Sequence, residues 1–252
     1  MARIDQLLRL LIEKGASDLH LVAGLEPRIR RKGSLQPVSG WKPLSRDGVR
    51  ELLEEIATDR QWAAFEAESD LDFAYEIPGV ARYRANFFVQ HRGAGGVFRV
   101  IPNEILSLED LNLPDAVAAL ADIDQGLVLV TGPTGSGKST TLAAIIDRIN
   151  TNHARHIVTI EDPVEFVHQN KKSILSHREV GTHTRSFGSA LRAAMREDAD
   201  VILVGEMRDL ETISNAITAA EMGALVFGTL HTNSAVKTIV RIIDAFPSSQ
   251  QT

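Results

Sequence analysis

Cysteine is absent from this 252-residue chain, and aromatic residues make up only 5% of it. The lack of cysteine excludes disulfides and thiolate zinc sites, and it fits a reducing cytoplasm. No apolar run approaches the ~20 residues that a membrane-spanning helix needs. Residues 1–5 also lack the apolar core of a signal peptide. We therefore expect a soluble, cytoplasmic protein that reaches a membrane only through its partners.

Positive charge is also scarce, because 27 Lys and Arg residues stand against 33 Asp and Glu residues, for a net charge of −6. Proteins that bind nucleic acid usually have a basic surface. The balance therefore argues against nucleic acid as a partner, although net charge does not report a local patch. Hydrophobic residues, by contrast, form 44% of the chain, which is enough for one large domain or two small ones.

The first part of the chain, residues 1–102, has the pattern of a small α+β domain. Apolar residues at helical spacing predict an opening helix that ends near Gly15, and the hydroxyl of Ser45 is placed to cap a later helix. Period-two alternation then predicts paired strands, with the glycine-rich residues 93–96 as the turn of the last hairpin. Residues 103–114 are predicted to form a linker.

The second part, residues 115–252, alternates apolar strands with helices, which indicates a parallel sheet covered on both faces and an α/β fold. The predicted strands are 127–130, 157–160, 201–204 and 225–230, and the predicted helices are 138–150, 187–196 and 210–222.

A phosphate-binding motif lies between the first strand and the first helix of this second part. Residues Gly132 to Ser139 match G-x4-G-K-[S/T] at every fixed position. Such glycines turn backbone N–H groups toward an anion at a helix N-terminus. We expect Lys138 to reach the β- and γ-phosphates of ATP, Ser139 to ligate Mg²⁺, and Thr140 to lie near the α-phosphate. The remaining residues expected to bind the nucleotide are Gly132, Thr134, Gly135, Ser136 and Gly137.

Acidic residues follow two of the predicted strands. Glu206 ends the strand 201–204, where it is placed to hold a Mg²⁺-bound water or to orient the attacking water. The aspartate usual at such a strand end is absent, and Gly205 stands near its place. The second cluster, Glu161-Asp162-Pro163-Val164-Glu165, is placed to polarise the water. Each acid also has an ordinary interpretation as solvated surface.

Two further groups of residues leave alternatives open. His231, after the last strand, is placed either to sense the γ-phosphate or bond a catalytic acid, or to be a structural histidine. The arginines of the first domain are either cross-strand partners of acids or fingers that reach nucleotide phosphates. These arginines are Arg82, Arg84, Arg92 and Arg99.

Together these motifs resemble the pilus-retraction motors of the type II/IV secretion ATPase superfamily. The matching segments are 15–21, 82–84, 92–95, 132–139, 160–166, 178–181, 203–209 and 229–232. The resemblance implies a PAS-like N-terminal domain, a RecA-like P-loop ATPase core and a homohexamer. It also implies that Glu206 handles the metal, that Glu165 activates water, that His231 belongs to a histidine box, and that Arg84 lies near the nucleotide.

The function implied is an ATP-hydrolysing motor that couples turnover to N-domain movement and powers pilus retraction. Its partners would be an inner-membrane platform protein and the rest of the pilus machinery. Two departures from the family pattern matter: the first residue of the histidine box is Ala224, and the family continues beyond Thr252, so we expect a truncated core. The alternatives are an assembly or secretion ATPase of the same superfamily, a non-hydrolysing nucleotide switch, and a RecA-like DNA enzyme.

Overall fold

The protein is described by a computed structural model that covers residues 2–102 and 104–250. The chain divides into two compact units, Met1–Asn103 and Glu104–Thr252, which we name the N-unit and the C-unit. Within the residues covered, no helix is both long and apolar enough to cross a membrane.

The N-unit combines one antiparallel sheet with helices. The sheet has the strand order β3-β2-β1-β6-β5-β4, and each neighbouring pair is antiparallel. Its helices are α1 (Ile4–Lys14), α2 (Arg46–Glu54) and α3 (Asp59–Glu68), and its strands are β1 (Asp18–Val22), β2 (Arg28–Arg31), β3 (Ser34–Pro37), β4 (Asp70–Ile77), β5 (Ala81–Gln90) and β6 (Gly93–Ile101).

Local sequence signals explain where these helices begin and end. Helix α1 ends at Gly15, which adopts the left-handed conformation that glycine tolerates best. The Ser45 hydroxyl accepts a 3.0 Å hydrogen bond from the Gly48 amide at the start of α2, so the predicted cap is confirmed. Thr58 and Gln61 form a reciprocal capping box on α3.

The predicted glycine turn at residues 93–96 is wrong, because these residues lie inside β6. Gln90 pairs with Gly93, so the hairpin turns at residues 91–92. The glycines serve close packing instead: a Cβ on Gly95 would lie 2.6 Å from the Phe88 ring, and one on Gly96 would lie 2.7 Å from Leu53. The Phe88 and Leu53 side chains therefore occupy the space that a side chain at position 95 or 96 of β6 would need.

The C-unit is built on a parallel sheet of order β7-β11-β10-β8-β9, and every pairing is parallel. The predicted α/β architecture is confirmed. Its strands are β7 (Gly126–Thr131), β8 (His156–Glu161), β9 (Ile174–Glu179), β10 (Val201–Val204) and β11 (Leu225–Leu230), and its helices are α4 (Asp115–Ala118), α5 (Lys138–Asn152), α6 (Phe187–Ala194), α7 (Leu210–Glu221) and α8 (Ala235–Ala245).

Helices cover both faces of this sheet, which explains why β7, β8, β10 and β11 are rich in apolar residues. On one face Ile202 and Val204 pack in a cluster with residues of α6 and α7. On the other face Val201 and Leu203 pack in a cluster with residues of α5. All four side chains are at most 6% exposed, and burying each contributes roughly 1.5–3 kcal/mol.

The segment predicted as a linker belongs to the C-unit, which begins at Glu104. Leu108 is 3% exposed and packs in the same core cluster as Leu142 and Ile145 of α5. Leu108 therefore anchors this part of the predicted linker in the C-unit, although Leu106 is 38% exposed. Residue 103 lies outside the described residues, and the linker boundaries stay a prediction. Strand β9 and helix α8 were not predicted from the sequence.

A candidate nucleotide site at the strand ends

The parallel register brings the predicted site residues to one edge of the C-unit sheet. Val204 is level with Ile160 on one side and with Gly228 on the other, and Leu230 is level with Thr131. The loops that follow β7, β8, β10 and β11 therefore leave the sheet together. This is the carboxyl edge, where open α/β sheets bind their ligands.

The phosphate-binding motif forms an exposed loop between β7 and α5. Gly132, Gly135 and Gly137 have φ of 154°, 79° and 88°, values that favour glycine. A Cβ on Gly132 would lie 2.6 Å from the Ser136 hydroxyl. The glycines are therefore required by the path of the backbone, as the motif predicts.

Lys138 begins helix α5 and folds its side chain back over this loop. Its ammonium donates hydrogen bonds of 3.0 Å to the carbonyls of both Gly132 and Pro133. Ser139 and Thr140 follow in the first turn of the helix. The positive end of the helix dipole and the lysine charge therefore both lie at the loop, and this combination binds phosphate.

Glu206, after β10, is the centre of a charged cluster. Its Oε2 lies 2.6 Å from an Arg208 guanidinium nitrogen, and its Oε1 lies 3.2 Å from His231 Nε2. Burial alone would raise the pKa of Glu206, but the hydrogen bond from Arg208 and the charges of Arg208, His231 and Lys138 outweigh it and hold the pKa below its usual value. Glu206 is therefore an ionised carboxylate that is stabilised in part by the charge of the phosphate-binding lysine.

Arg208 was not predicted as a site residue, although it lies two positions beyond Glu206. Its bond to Glu206 raises the pKa of the guanidinium against the opposing effect of burial, and the charge of Asp162 adds to this. The arginine thus links the carboxylate after β10 to the acidic loop after β8. The contact of His231 with Glu206 fits both a bond to a catalytic acid and a structural histidine, so its role stays a prediction.

Gly205 has a steric reason to be glycine rather than aspartate. A Cβ there would lie 3.2 Å from the Ile160 carbonyl oxygen, 3.3 Å from Glu161 Cα and 3.4 Å from Glu161 Cγ. The Gly205 amide also donates a 2.8 Å hydrogen bond to the Ile160 carbonyl. A side chain here would therefore require the two strand ends to shift by a few tenths of an ångström, and the Glu161 side chain lies beside the glycine.

Two glutamate carboxylates hold the acidic loop, residues 161–165, by accepting hydrogen bonds from its backbone amides. The Glu165 amide donates a 3.2 Å hydrogen bond to Glu161 Oε2, and the Val164 amide donates a 3.1 Å bond to Glu179 Oε2. Glu179 is 6% exposed and also accepts a bond from the Thr182 hydroxyl. Sequence reasoning gave Glu179 no role, and its place in the segment 178–181 was its only signal.

A pocket beside the phosphate loop brings several of these residues together. Ser139 from α5, Glu161 from β8 and Thr229 from β11 line it, with apolar residues including Leu142 and Phe166. The Thr229 hydroxyl donates a 2.5 Å hydrogen bond to the Gly205 carbonyl. A hydroxyl at the helix start and a carboxylate at a strand end therefore border one space.

These residues fit a magnesium ion bound together with phosphate. Among the residues that the structure describes, no group of three or more histidine or acidic side chains is arranged to hold a metal. Mg²⁺ does not require one, since it keeps several waters and usually takes one or two protein oxygens plus substrate phosphate. The Ser139 hydroxyl and the ionised Glu206 carboxylate are ligands of this kind.

Two of the four N-unit arginines named above, Arg84 and Arg99, pair with acids of their own sheet. Arg84 donates two hydrogen bonds of 3.0 and 3.1 Å from its Nε to the Asp72 carboxylate. Arg99 donates a 2.8 Å bond to Asp18 on the neighbouring strand. These contacts agree with the cross-strand interpretation, and the role of Arg84 toward the nucleotide stays a prediction.

Comparison with known proteins gives this geometry its context. The family model "Type II/IV secretion system protein" matches residues 2–246. The chain belongs to this family. Its type II/IV secretion system relatives include the type IV pilus retraction ATPase PilT of Pseudomonas aeruginosa, 54% identical over 98% of this chain and 72% of that protein.

Two further members of the type II/IV secretion system family extend the comparison. A twitching motility protein of Neisseria gonorrhoeae is 50% identical over 91% of this chain and 61% of its own length. The crystal structure of the pilus retraction motor PilT with bound ADP superposes with a TM-score of 0.94 at 48% identity, covering all of this chain and 73% of that one. The chain thus spans 61–73% of the length of these three relatives.

Proposed function

We propose that this chain hydrolyses ATP as a motor subunit that powers type IV pilus retraction. The observation that carries the proposal is the Glu206 carboxylate, which contacts Arg208 and His231 at the same carboxyl edge of a parallel sheet as the phosphate loop with Lys138. Relatives that are named for pilus retraction and twitching motility, at 54% and 50% identity, support the assignment.

Binding of ATP falls to the loop and the start of α5. The glycines at 132, 135 and 137 turn backbone amides toward the phosphates, and Lys138 exchanges its bonds to two loop carbonyls for phosphate oxygens. Thr134, Ser136 and Thr140 add polar contacts. This arrangement concentrates positive charge where negative charge develops during phosphoryl transfer.

Hydrolysis further requires an oriented water and charge neutralisation. Ser139 and Glu206 would hold Mg²⁺, which would supply electrostatic stabilisation of the phosphate charge. Glu165 orients the attacking water, and Glu161 holds the Glu165 backbone in place. His231 orients Glu206 through its imidazole, which lies 3.2 Å away.

The motor function requires assembly and movement. We assign the chain to a homohexamer in the cytoplasm, at the inner-membrane face of the pilus machine, where a platform protein is its partner. ATP turnover moves the N-units against the C-units, and Arg84 approaches the nucleotide as part of that cycle. The net charge of −6 gives no support to a nucleic-acid partner.

Hydrolysis is tested by steady-state turnover and ATP binding of the wild type, Lys138→Ala and Glu206→Gln. Lys138→Ala should lose nucleotide binding, whereas Glu206→Gln should bind ATP and lose turnover by ~10²-fold or more. Glu221→Gln, at the exposed end of α7, is the matched control and should keep wild-type turnover. Tight binding without turnover in both the wild type and Glu206→Gln would instead favour the non-hydrolysing switch.

Retraction is distinguished from pilus assembly and protein secretion in cells. Expression in a strain that makes pili but cannot retract them should restore twitching, and the Glu206→Gln protein should not. Glu221→Gln should restore it to the wild-type extent. Restored secretion or piliation without twitching would favour the assembly or secretion ATPase.

A further inference from the structure

A histidine on β9 joins strand β8 to the segment that follows the acidic loop. His177 Nδ1 lies 2.8 Å from the hydroxyl of Thr159, which is fully buried on β8. On the other side of the ring, the backbone amide of His168 donates a 3.2 Å hydrogen bond to His177 Nε2. One imidazole therefore spans from the central sheet to a residue three positions beyond Glu165.

The two contacts define which nitrogen of His177 carries the proton. A backbone N–H can only donate, so Nε2 must be the unprotonated acceptor, and Nδ1–H then donates to Thr159. In the alternative tautomer, Nε2–H would donate to the His168 carbonyl, which lies 3.4 Å from Nε2. The same N–H would then face the His168 amide N–H, so two donors would oppose each other. The hydrogen-bond geometry thus assigns Nε2 as the acceptor and places a ring proton on Nδ1.

The same segment is fixed from its other side by the helix that carries the phosphate-binding lysine. Asn150 of α5 donates a 2.8 Å bond to the Gln169 carbonyl and accepts a 3.0 Å bond from the Lys171 amide. The Lys171 ammonium lies 2.8 Å from Asp147, also on α5. Residues 168–171 are therefore tied to α5 and, through His177, to the sheet.

The His168 side chain places this junction next to the candidate site. Its ring stacks on the His177 ring with centroids 5.9 Å apart and planes 15° apart. His168 also lines the pocket that Ser139 and Glu161 border. A shift of the backbone at His168 is therefore transmitted to the acidic loop over only a few covalently linked residues.

We infer that His177 is a positioning residue for the acidic loop, acting through the His168 amide to keep Glu165 in register with the phosphate loop. The inference rests on the proposed hydrolysis, because the loop matters to turnover only if Glu165 orients water. His177 lies on β9, at the edge of the sheet opposite β7, the strand that leads into the phosphate loop. It should therefore govern turnover and leave ATP binding unchanged.

Two substitutions separate the hydrogen bond from the bulk of the ring. In His177→Gln the amide oxygen reaches about as far as Nε2, so it can still accept from the His168 amide. In His177→Asn the shorter side chain reaches only the Nδ1 position, which keeps a partner for Thr159 and leaves the His168 amide without its acceptor. We expect His177→Asn to lower kcat by about 10-fold with KM for ATP within about 2-fold, because misplaced catalytic groups cost rate rather than binding.

The glutamine variant should recover kcat to within about 3-fold of the wild type, since it restores the acceptor. Equal kcat in the wild type and His177→Asn would overturn the inference. So would an equal loss in both variants, because that would assign the effect to the ring and not to the bond. Thr159→Val removes the hydroxyl without touching the His168 bond and should have the smaller effect.

A second readout keeps the inference testable without turnover. Hydrogen exchange of the His168 amide should be slow in the wild type and in His177→Gln, and about 10-fold faster in His177→Asn. If the wild type fails to hydrolyse ATP while this exchange pattern holds, the proposed function fails, but the hydrogen bond from the His168 amide to His177 is confirmed. If turnover is present and the exchange rates are equal in all three proteins, the positioning role of His177 is wrong and the proposed function is unaffected.

Discussion

Gly205 offers a direct test of how tightly the two acidic strand ends are packed. In Gly205→Ala the added Cβ would meet the Ile160 carbonyl at 3.2 Å and Glu161 Cα at 3.3 Å. Both are backbone atoms inside paired strands, so neither can move aside independently. Overpacking of this kind costs about 1–3 kcal/mol, and the reduced freedom of the unfolded chain returns about 0.4–1 kcal/mol.

The net expectation is a loss of about 1–2 kcal/mol, which for a chain of this size lowers the unfolding temperature by roughly 2–8 °C. Differential scanning calorimetry measures this shift in unfolding temperature. Gly188→Ala is the control: its Cβ would come within 2.6 Å of the Glu211 side chain, which must turn away, but that side chain is 54% exposed and its surface ion pair with Arg192 contributes little. Since alanine is also the better helix former, Gly188→Ala should unfold at or above the wild-type temperature.

Gly205→Ala should also reduce ATP turnover, because Glu161 Cγ lies 3.4 Å from the new methyl position and the Glu161 carboxylate holds the Glu165 amide. Wild-type stability together with wild-type turnover in Gly205→Ala would refute this reasoning. A loss of equal size in Gly188→Ala would also count against it, since the cost would then not be specific to the strand ends.

Three further predictions concern buried or capping groups. Glu179→Ala leaves the Val164 amide and the Thr182 hydroxyl without the carboxylate that they contact, so urea unfolding should show a loss of about 1–3 kcal/mol; Glu179→Gln should lose less. Burial lowers the pKa of His168 to about 4, whereas in the unfolded chain it is ~6.5. Between pH ~6.5 and ~4 the unfolded state therefore binds a proton at His168 that the folded state does not. The free energy of unfolding should fall by up to about 3 kcal/mol as the pH drops from ~6.5 to ~4. An equal dependence of the unfolding free energy on pH in His168→Asn would contradict this. Asp209 caps α7 by accepting from the Thr212 amide at 2.8 Å, so Asp209→Ala should cost about 1 kcal/mol in thermal unfolding while Asp209→Asn costs little.

The parts of the fold that followed from local chemistry were predictable. The Ser45 hydroxyl capped the expected helix, and the continuous apolar runs formed a buried parallel sheet. Strand β9 was missed because its residues are polar or only partly buried and Ile174 is 64% exposed, as edge strands often are. The glycines at 93–96 were misread because glycine serves close packing as well as turns.

The site divides in the same way. The sequence alone determined the phosphate loop, because its glycines, lysine and hydroxyl act through consecutive residues whose spacing is their geometry. Only the tertiary structure decided that Glu206 contacts Arg208 and His231, and that Glu179 holds the acidic loop. These contacts depend on the strand order β8-β10-β11 and on which segments leave the sheet together. Hydrophobic periodicity identifies strands but does not encode their order, so such contacts form only when the sheet does.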